Sequence, residues 1–237
     1  MEKIIEVRDL SFWYVKRAAL FRWIRKNVLL NINFDINHGE CLGVVGKNGA
    51  GKTTLLRLLA GIFAPSSGSI EKNNATCTLL TLQAGFDPKL TGRDNAILSG
   101  MLLGIEKHKM EILMDTIIEF SELKDVIDDP VETYSTGMRA RLGFAVAYHV
   151  HADVLLIDEV MGVGDPPFRQ KSYKAMREKI SSNQTVVLVS HNLKELREVC
   201  TRVLWMENGE MRGIGNTAQL LKEYETFLQK SPARVAL

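Results

Sequence analysis

Three stretches of this 237-residue chain carry residue types suited to phosphate chemistry. The first, "GKNGAGKT" at 46–53, matches the spacing G-x-x-x-x-G-K-[ST]. Gly46, Gly49 and Gly51 let backbone N–H groups turn inward around phosphate oxygens, and a helix starting after the loop adds the positive end of its dipole. Lys52 is placed to reach terminal phosphates through charge-assisted bonds worth about 1.5–3 kcal/mol each. Thr53 offers a hydroxyl to Mg²⁺. An accidental glycine-rich turn is the alternative, and the apolar strand before the loop and the helical pattern after it argue against that.

The second stretch, "VLLIDEV" at 154–160, supplies carboxylates at the end of a buried strand. Asp158 suits a Mg²⁺ held through water, and Glu159 suits orientation and polarisation of an attacking water, a role worth about 10²–10⁴-fold in rate. Strand neighbours alternate, so Glu159 is expected to point away from Asp158. His191 follows another buried strand, "TVVLVS", and joins the same sheet edge, where open parallel sheets bind ligands. A strand-ending His taken alone reads as a cap or a surface residue. His38, His108, His149 and His151 lack such a setting and read as surface or lobe residues.

The third, "YSTGMRARLGFA" at 134–145, opens a helix with Ser, Thr and Gly. Ser135 and the free N–H groups of the first turn can hold an anion, or Ser135 can be an ordinary N-cap.

These stretches need strands and helices to hold them. Strands are expected at 4–10, 28–37, 41–46, 153–160 and 185–191, with Leu30, Ile32, Phe34 and Ile36 sharing one face of the second. Helices are expected at 52–63, 92–103, 107–120, 136–150, 166–181, 193–200 and 217–229, "APSSGSI" reads as a turn region, and Asn208-Gly209 turns a hairpin. The fold class is α/β: a mostly parallel core sheet, a small antiparallel β subdomain and an inserted α-helical subdomain. One domain is expected, with 1–87 and 151–216 as the core, 88–150 as the helical lobe and 217–237 as a final helix and tail.

Charge is near balance, 30 Lys+Arg against 28 Asp+Glu, so no general pull toward nucleic acid exists. Cys41, Cys77 and Cys200 are far apart in sequence and form no CxxC pair, which fits a reducing compartment and neither a disulfide framework nor a zinc site. The N-terminus lacks the apolar core of a signal peptide, and no apolar run approaches the roughly 20 residues that span a bilayer.

In this order the motifs resemble an ATP-binding cassette ATPase: a phosphate loop, a Ser-x-Gly helix start, "LLIDE" and a strand-ending His. That resemblance covers nearly the whole chain. It implies nucleotide contacts from Tyr14, Gly46, Asn48, Gly49, Ala50, Gly51, Lys52, Thr53 and Thr54, with Thr53, Gln83 and Asp158 toward Mg²⁺. It implies Glu159 and His191 as catalytic residues, and Asp165, six positions after Glu159, as the Asp of the D-loop. Tyr14 stands where an aromatic stacks on adenine; burial against Phe12 or Trp13 is its alternative. Gln83 sits one residue closer to "LTGRDN" than the family pattern places it. Ser135, Thr136, Gly137 and Met138 stand at the signature sequence, which in the family caps the γ-phosphate held by a second subunit. Two phosphate-seeking elements in one chain then follow from a head-to-tail homodimer.

"YSTGMRARLGFA", "DEVMGVGD" and "AGFDPKLTGRDN" further resemble the branch exporting O-antigens, capsules and teichoic acids through a separate integral membrane permease. That implies a peripheral subunit on the cytoplasmic face of the bacterial inner membrane, moving a lipid-linked polysaccharide. The chain ends soon after its last helix, so no added carbohydrate-binding β-domain is expected. A soluble cassette ATPase acting on nucleic acid or ribosomes is the alternative, opposed by the single cassette and the absence of a coiled-coil arm. The insertion "VKRAALFRWIRKN" at 15–27, placed on a helix, puts Leu20, Phe21, Ile24 and Val28 on one face, away from Arg22, Arg25 and Lys26. Such a face suits a membrane interface or partner groove, and a solvated hairpin connection is its alternative.

Overall fold

The computed structural model of the chain describes residues 2–19, 22–159 and 162–230; for 16–19, 22 and 23 it describes the backbone alone. In chain order, β1 (Lys3–Ala19) and β2 (Arg22–Asn37) lead to β3 (Cys41–Val45) and α1 (Lys52–Leu59). Next come β4 (Ser67–Glu71), β5 (Cys77–Leu80), α2 (Gly92–Leu102), α3 (Lys107–Ser121) and α4 (Thr136–Tyr148). Then follow β6 (Val154–Asp158), α5 (Pro166–Ser181), β7 (Thr185–Val189) and α6 (Leu193–Val199). The strands β8 (Arg202–Glu207) and β9 (Glu210–Asn216) precede α7 (Thr217–Lys230). The class is α/β, with mostly parallel core strands, a small antiparallel sheet and helices. Two compact units are present, Met1–Ala75 with Asn183–Leu237 and Thr76–Ser182.

In the first unit β7, β3 and β8 pair in parallel, with Cys41 opposite Val186 and Leu42 opposite Arg202. Every residue of β3 and β7 is buried, which is why neither sequence alternates. Each fully buried Leu or Val there contributes about 1.5–3 kcal/mol. β9 returns antiparallel to β8 through Asn208 (φ 50°) and Gly209 (φ 83°), the left-handed pair such a turn demands. Cys41 and Cys200 are distant in sequence yet neighbours in space, their buried free thiols 3.4 Å apart.

The antiparallel sheet has the order β2-β1-β4. "APSSGSI" is therefore only partly a turn: Ser67–Glu71 pairs along β1, Val7 opposite Ile70, as a short, mostly exposed edge strand with no alternation to reveal it. The expected face of β2 also shifts. Ile32, Phe34 and Ile36 are buried, but Leu29 rather than Leu30 completes the set, because Asn31 takes φ 50° and the register slips between Leu10–Ile32 and Phe12–Leu29.

The described residues of the insertion at 15–27 are strand and not helix. β1 and β2 pair onward through it, Val15 opposite Arg25 and Lys16 opposite Ile24, out to Ala19 and Arg22. Thirteen residues are marginal for an isolated helix, whereas here a formed ladder needs only to extend, with Val15, Trp23 and Ile24 as β-favouring members of the run. Val15, Ile24, Arg25 and Lys26 are exposed on this hairpin, and the Arg25 guanidinium lies 5.0 Å over the Trp13 ring. Leu20 and Phe21, the centre of the proposed apolar face, lie outside the described residues.

In the second unit β5 pairs in parallel with β6, Cys77 opposite Val154; at four residues, β5 is too short to show a pattern in sequence. Helix α4 packs on α2 and α3. Phe144 and Phe168 are buried and meet edge to face, with Phe120 stacked on Phe144. Lys179 closes the far end of α4 by donating to the carbonyls of Tyr148 and Val150. Burial pulls its ammonium down to a pKa of about 8. His38, His108 and His151 are exposed, while His149 is half-buried and burial lowers its pKa.

Candidate functional site

The loop after β3 takes the shape its glycines permit. Gly46, Gly49 and Gly51 have φ of 157°, 81° and 98°. A Cβ on Gly46 would stand 2.3 Å from the Met206 carbonyl oxygen, and one on Gly51 would stand 2.6 Å from Leu29 Cδ2 and 3.1 Å from the Val28 carbonyl oxygen. Side chains are thus excluded from both places by neighbouring backbone as well as by φ. Asn48 is exposed, Ala50 is buried, and Ala50 N–H donates to the Lys47 carbonyl at 3.1 Å.

Lys52 opens α1 and is only 7% exposed. Its Nζ donates to the carbonyls of Gly46 (2.8 Å) and Lys47 (3.2 Å), so the cation folds back over its own loop. Burying an ammonium against carbonyls costs solvation, which a bound anion would offset. Thr53 is exposed and Thr54 half-buried in the first turn, and the α1 N-terminus has no side-chain cap. A helix start without a side-chain cap, behind a glycine loop and a buried lysine, has the make-up of an anion cradle.

In the same unit Tyr14 is 40% exposed and rests edge-on against Phe12 (5.0 Å) and Phe63 (6.1 Å). Phe12 is the buried member of that trio, so burial does not claim Tyr14. His191 is exposed two residues after the end of β7.

In the second unit Asp158 is the half-buried last residue of β6. Glu159 is exposed and has already left the strand, with φ 61°. Its direction is therefore set by a left-handed backbone and not by strand alternation, a correction to the sequence reading. Such a conformation costs a non-glycine residue about 1–2 kcal/mol, and strain of this kind gathers at working sites.

Ser135 is the N-cap of α4, its Oγ accepting from Met138 N–H at 3.1 Å. Accepting that bond leaves the hydroxyl proton to donate elsewhere, so the capping and anion-holding readings are compatible. The N–H groups of Thr136 and Gly137 stand ahead of the helical ladder, Thr136 exposed, Gly137 and Met138 half-buried. Two anchors of this turn escaped the sequence reading. Tyr134, 3% exposed, donates its hydroxyl to the Val126 carbonyl, and burial pushes its pKa up to about 12. Arg141 donates from Nε and Nη2 to Asp165 Oδ1 (2.9 and 2.5 Å) and from Nη1 to Glu122 Oε2 (3.2 Å). Arg141's hydrogen bonds hold the Asp165 carboxyl below the usual carboxylate range. Together Glu122, Ser135, Gly137, Met138, Arg141 and Asp165 line an open cavity of about 390 Å³.

Gln83, half-buried with φ 62°, lies against α4 at a glycine: a Cβ on Gly143 would come within 2.9 Å of Gln83 N and 3.2 Å of its Cγ. The Thr53 hydroxyl, Asp158 carboxylate and Gln83 amide are hard oxygen donors, the chemistry Mg²⁺ prefers.

The family model described as "ABC transporter" matches residues 29–162. The O-antigen export system ATP-binding protein RfbB of Klebsiella pneumoniae is 39% identical over 219 residues, 92% of this chain and 89% of that protein. The Myxococcus xanthus protein of the same description is 39% identical over 230 residues, covering 93% of this chain and 53% of its own length. The teichoic acids export ATP-binding protein TagH of Lactococcus lactis subsp. lactis is 42% identical over 201 residues, 85% of this chain and 43% of its own length. The chain thus spans nearly all of the first relative and about half or less of the other two. Among solved structures, an ATP-binding subunit of an ABC transporter matches with a TM-score of 0.73 at 21% identity, covering 94% of this chain and 93% of that one. A dimeric ATP-binding cassette with ADP and Pi bound matches with a TM-score of 0.71 at 19% identity, over 90% and 98%. Both share the fold.

Proposed function

The chain belongs to the ABC transporter family, and from that premise we propose that it is the ATP-hydrolysing subunit of an exporter of lipid-linked cell-surface polysaccharide. It works as a head-to-tail homodimer on a separate integral membrane permease, at the cytoplasmic face of the inner membrane. The export systems named for its relatives handle O-antigen and teichoic acids, which supports this substrate class. No described helix is long and apolar enough to cross a membrane, so the translocation path is assigned to the permease.

The observation that carries the reading is the loop at 46–53, whose buried Lys52 is held by carbonyls of the same loop. ATP draws Lys52 Nζ from those carbonyls onto its β- and γ-phosphates, while the amides around Gly49 and Gly51 take phosphate oxygens and Tyr14 supports the adenine. Thr53, Asp158 and Gln83 would hold Mg²⁺, which when bound neutralises phosphate charge. Glu159 accepts the proton of the attacking water as the γ-phosphoryl group leaves ADP. His191 donates to the departing phosphate. Ser135 and the amides of Thr136 and Gly137 close over that phosphate from the second protomer, and Asp165, tied to Arg141, adjoins them.

Glu159→Gln tests the assignment. The variant is expected to bind ATP, accumulate as a dimer on size exclusion and leave the cell without surface polysaccharide. Wild-type turnover in that variant refutes the role of Glu159; normal surface polysaccharide alongside lost turnover refutes the export assignment.

A further inference from the structure

The ends of β7 and α6 are joined by three residues, Ser190, His191 and Asn192, and the two that flank the histidine are tied down. Ser190 is 6% exposed, and its hydroxyl donates to Glu195 Oε2 at 2.5 Å. Because that proton is committed, the Ser190 Oγ lone pairs face the chain, and Asn192 N–H donates to them at 3.1 Å. This bond closes a ring across His191 from residue 190 to residue 192. Asn192 then caps α6, its Oδ1 accepting from the N–H groups of Lys194 (3.1 Å) and Glu195 (3.3 Å).

Glu195 is also 6% exposed, an expensive place for a carboxyl whose side chain accepts from a neutral hydroxyl. An apolar residue would fill the position at lower cost, so packing does not explain it. The carboxyl does one thing an apolar residue cannot: it orients the Ser190 hydroxyl.

We infer that Ser190 and Glu195 are positioning residues for His191, a buried latch that fixes the backbone on both sides of the histidine so that its ring meets the γ-phosphate without a search. The inference rests on the reading of His191 as a phosphate-facing group. A latch of this kind acts on the chemical step, because Lys52 and the phosphate loop bind nucleotide independently of it. Losing it therefore lowers kcat and leaves the KM for ATP in place. It also acts only through His191, so its loss and the loss of the histidine are not additive.

The experiment compares steady-state ATPase activity and thermal melting of the full chain carrying Ser190→Ala, Glu195→Leu, Glu195→Gln, His191→Ala, and Ser190→Ala with His191→Ala. Ser190→Ala and Glu195→Leu are expected to lower kcat at least about tenfold with KM changed by less than about twofold. Glu195→Gln keeps an acceptor for the serine and is expected to retain kcat within about threefold of wild type. The double variant is expected to be no slower than His191→Ala alone. Unchanged kcat in Ser190→Ala, or a double variant slowed by the product of the two single effects, overturns the latch while leaving His191 in its role. Wild-type kcat in His191→Ala overturns the reading of the histidine itself, and the latch with it. The melts keep the outcome interpretable: where Ser190→Ala fails to fold, the Glu195→Leu and Glu195→Gln pair carries the same contrast.

Discussion

Replacing Gly51 and Gly49 by alanine separates two reasons for glycine in the phosphate loop. Both residues are left-handed, at φ 98° and 81°, so either substitution carries a backbone cost of about 1–2 kcal/mol. Their surroundings differ. A Cβ on Gly49 meets nothing within 4 Å, whereas one on Gly51 lands 2.6 Å from Leu29 Cδ2 and 3.1 Å from the Val28 carbonyl oxygen. Leu29 is fully buried in β2 and cannot swing into solvent, so the collision adds an overpacking cost of about 1–3 kcal/mol. Gly49→Ala is therefore expected to destabilise by about 1–2 kcal/mol and Gly51→Ala by about 2–5 kcal/mol. At about 2–4 °C per kcal/mol for a chain of this size, the midpoints fall by roughly 2–8 °C and 4–20 °C. Nucleotide-free thermal melts followed by circular dichroism read the difference. Equal losses in the two variants would refute the claim that β2 presses on Gly51, and no loss in either would refute the left-handed loop.

Ser135→Asp keeps a good N-cap but places a carboxylate where phosphate must sit; it is expected to melt with the wild type yet turn over at least about tenfold more slowly, whereas Ser135→Ala loses about 1 kcal/mol of stability as well. Wild-type turnover in Ser135→Asp would contradict a phosphate contact. Lys179 has a folded pKa of about 8 against 10.5 when unfolded, so between those values the unfolded chain binds more protons and stability rises with pH. Urea unfolding across pH 8 to 10.5 is expected to show that rise in the wild type and a flatter profile in Lys179→Met; identical slopes would count against the buried ammonium. Lys52→Ala is expected to abolish ATP binding in equilibrium dialysis, and retained affinity would remove the anion cradle from the account.

The helices and the buried strands were legible in sequence because their signals are local. "KTTLLRLL", "VLLID" and "TVVLV" each declare burial or periodicity within a few residues. What sequence reading missed depends on partners far along the chain. β4 exists because β1 offers an edge, and the outer half of the β1–β2 hairpin exists because an established ladder extends through it. The slip at Asn31 moved Leu29 into the core, a one-residue event that alternation cannot foresee. Candidate site residues such as Lys52, Ser135 and Asp158 were visible through motif spacing. The groups that hold their neighbourhoods were not: Tyr134 reaches back to Val126, Arg141 reaches Asp165, and Glu195 turns to Ser190. Each of these is an ordinary residue type at an ordinary position until its partner is in place.

Mixing two inactive variants addresses the proposed trans arrangement most directly. Lys52→Ala disables nucleotide binding in its own loop, and Ser135→Asp disables the cap it lends to a partner. In a head-to-tail pair, the mixed dimer joins the intact loop of one protomer to the intact Ser135 of the other, giving one complete site and one doubly broken site. Co-refolded at equal concentrations, half the dimers are mixed and half the sites in each are complete, so ATPase activity should return to about a quarter of wild type. If each chain instead completes its own site, the mixture will be as inactive as its two components.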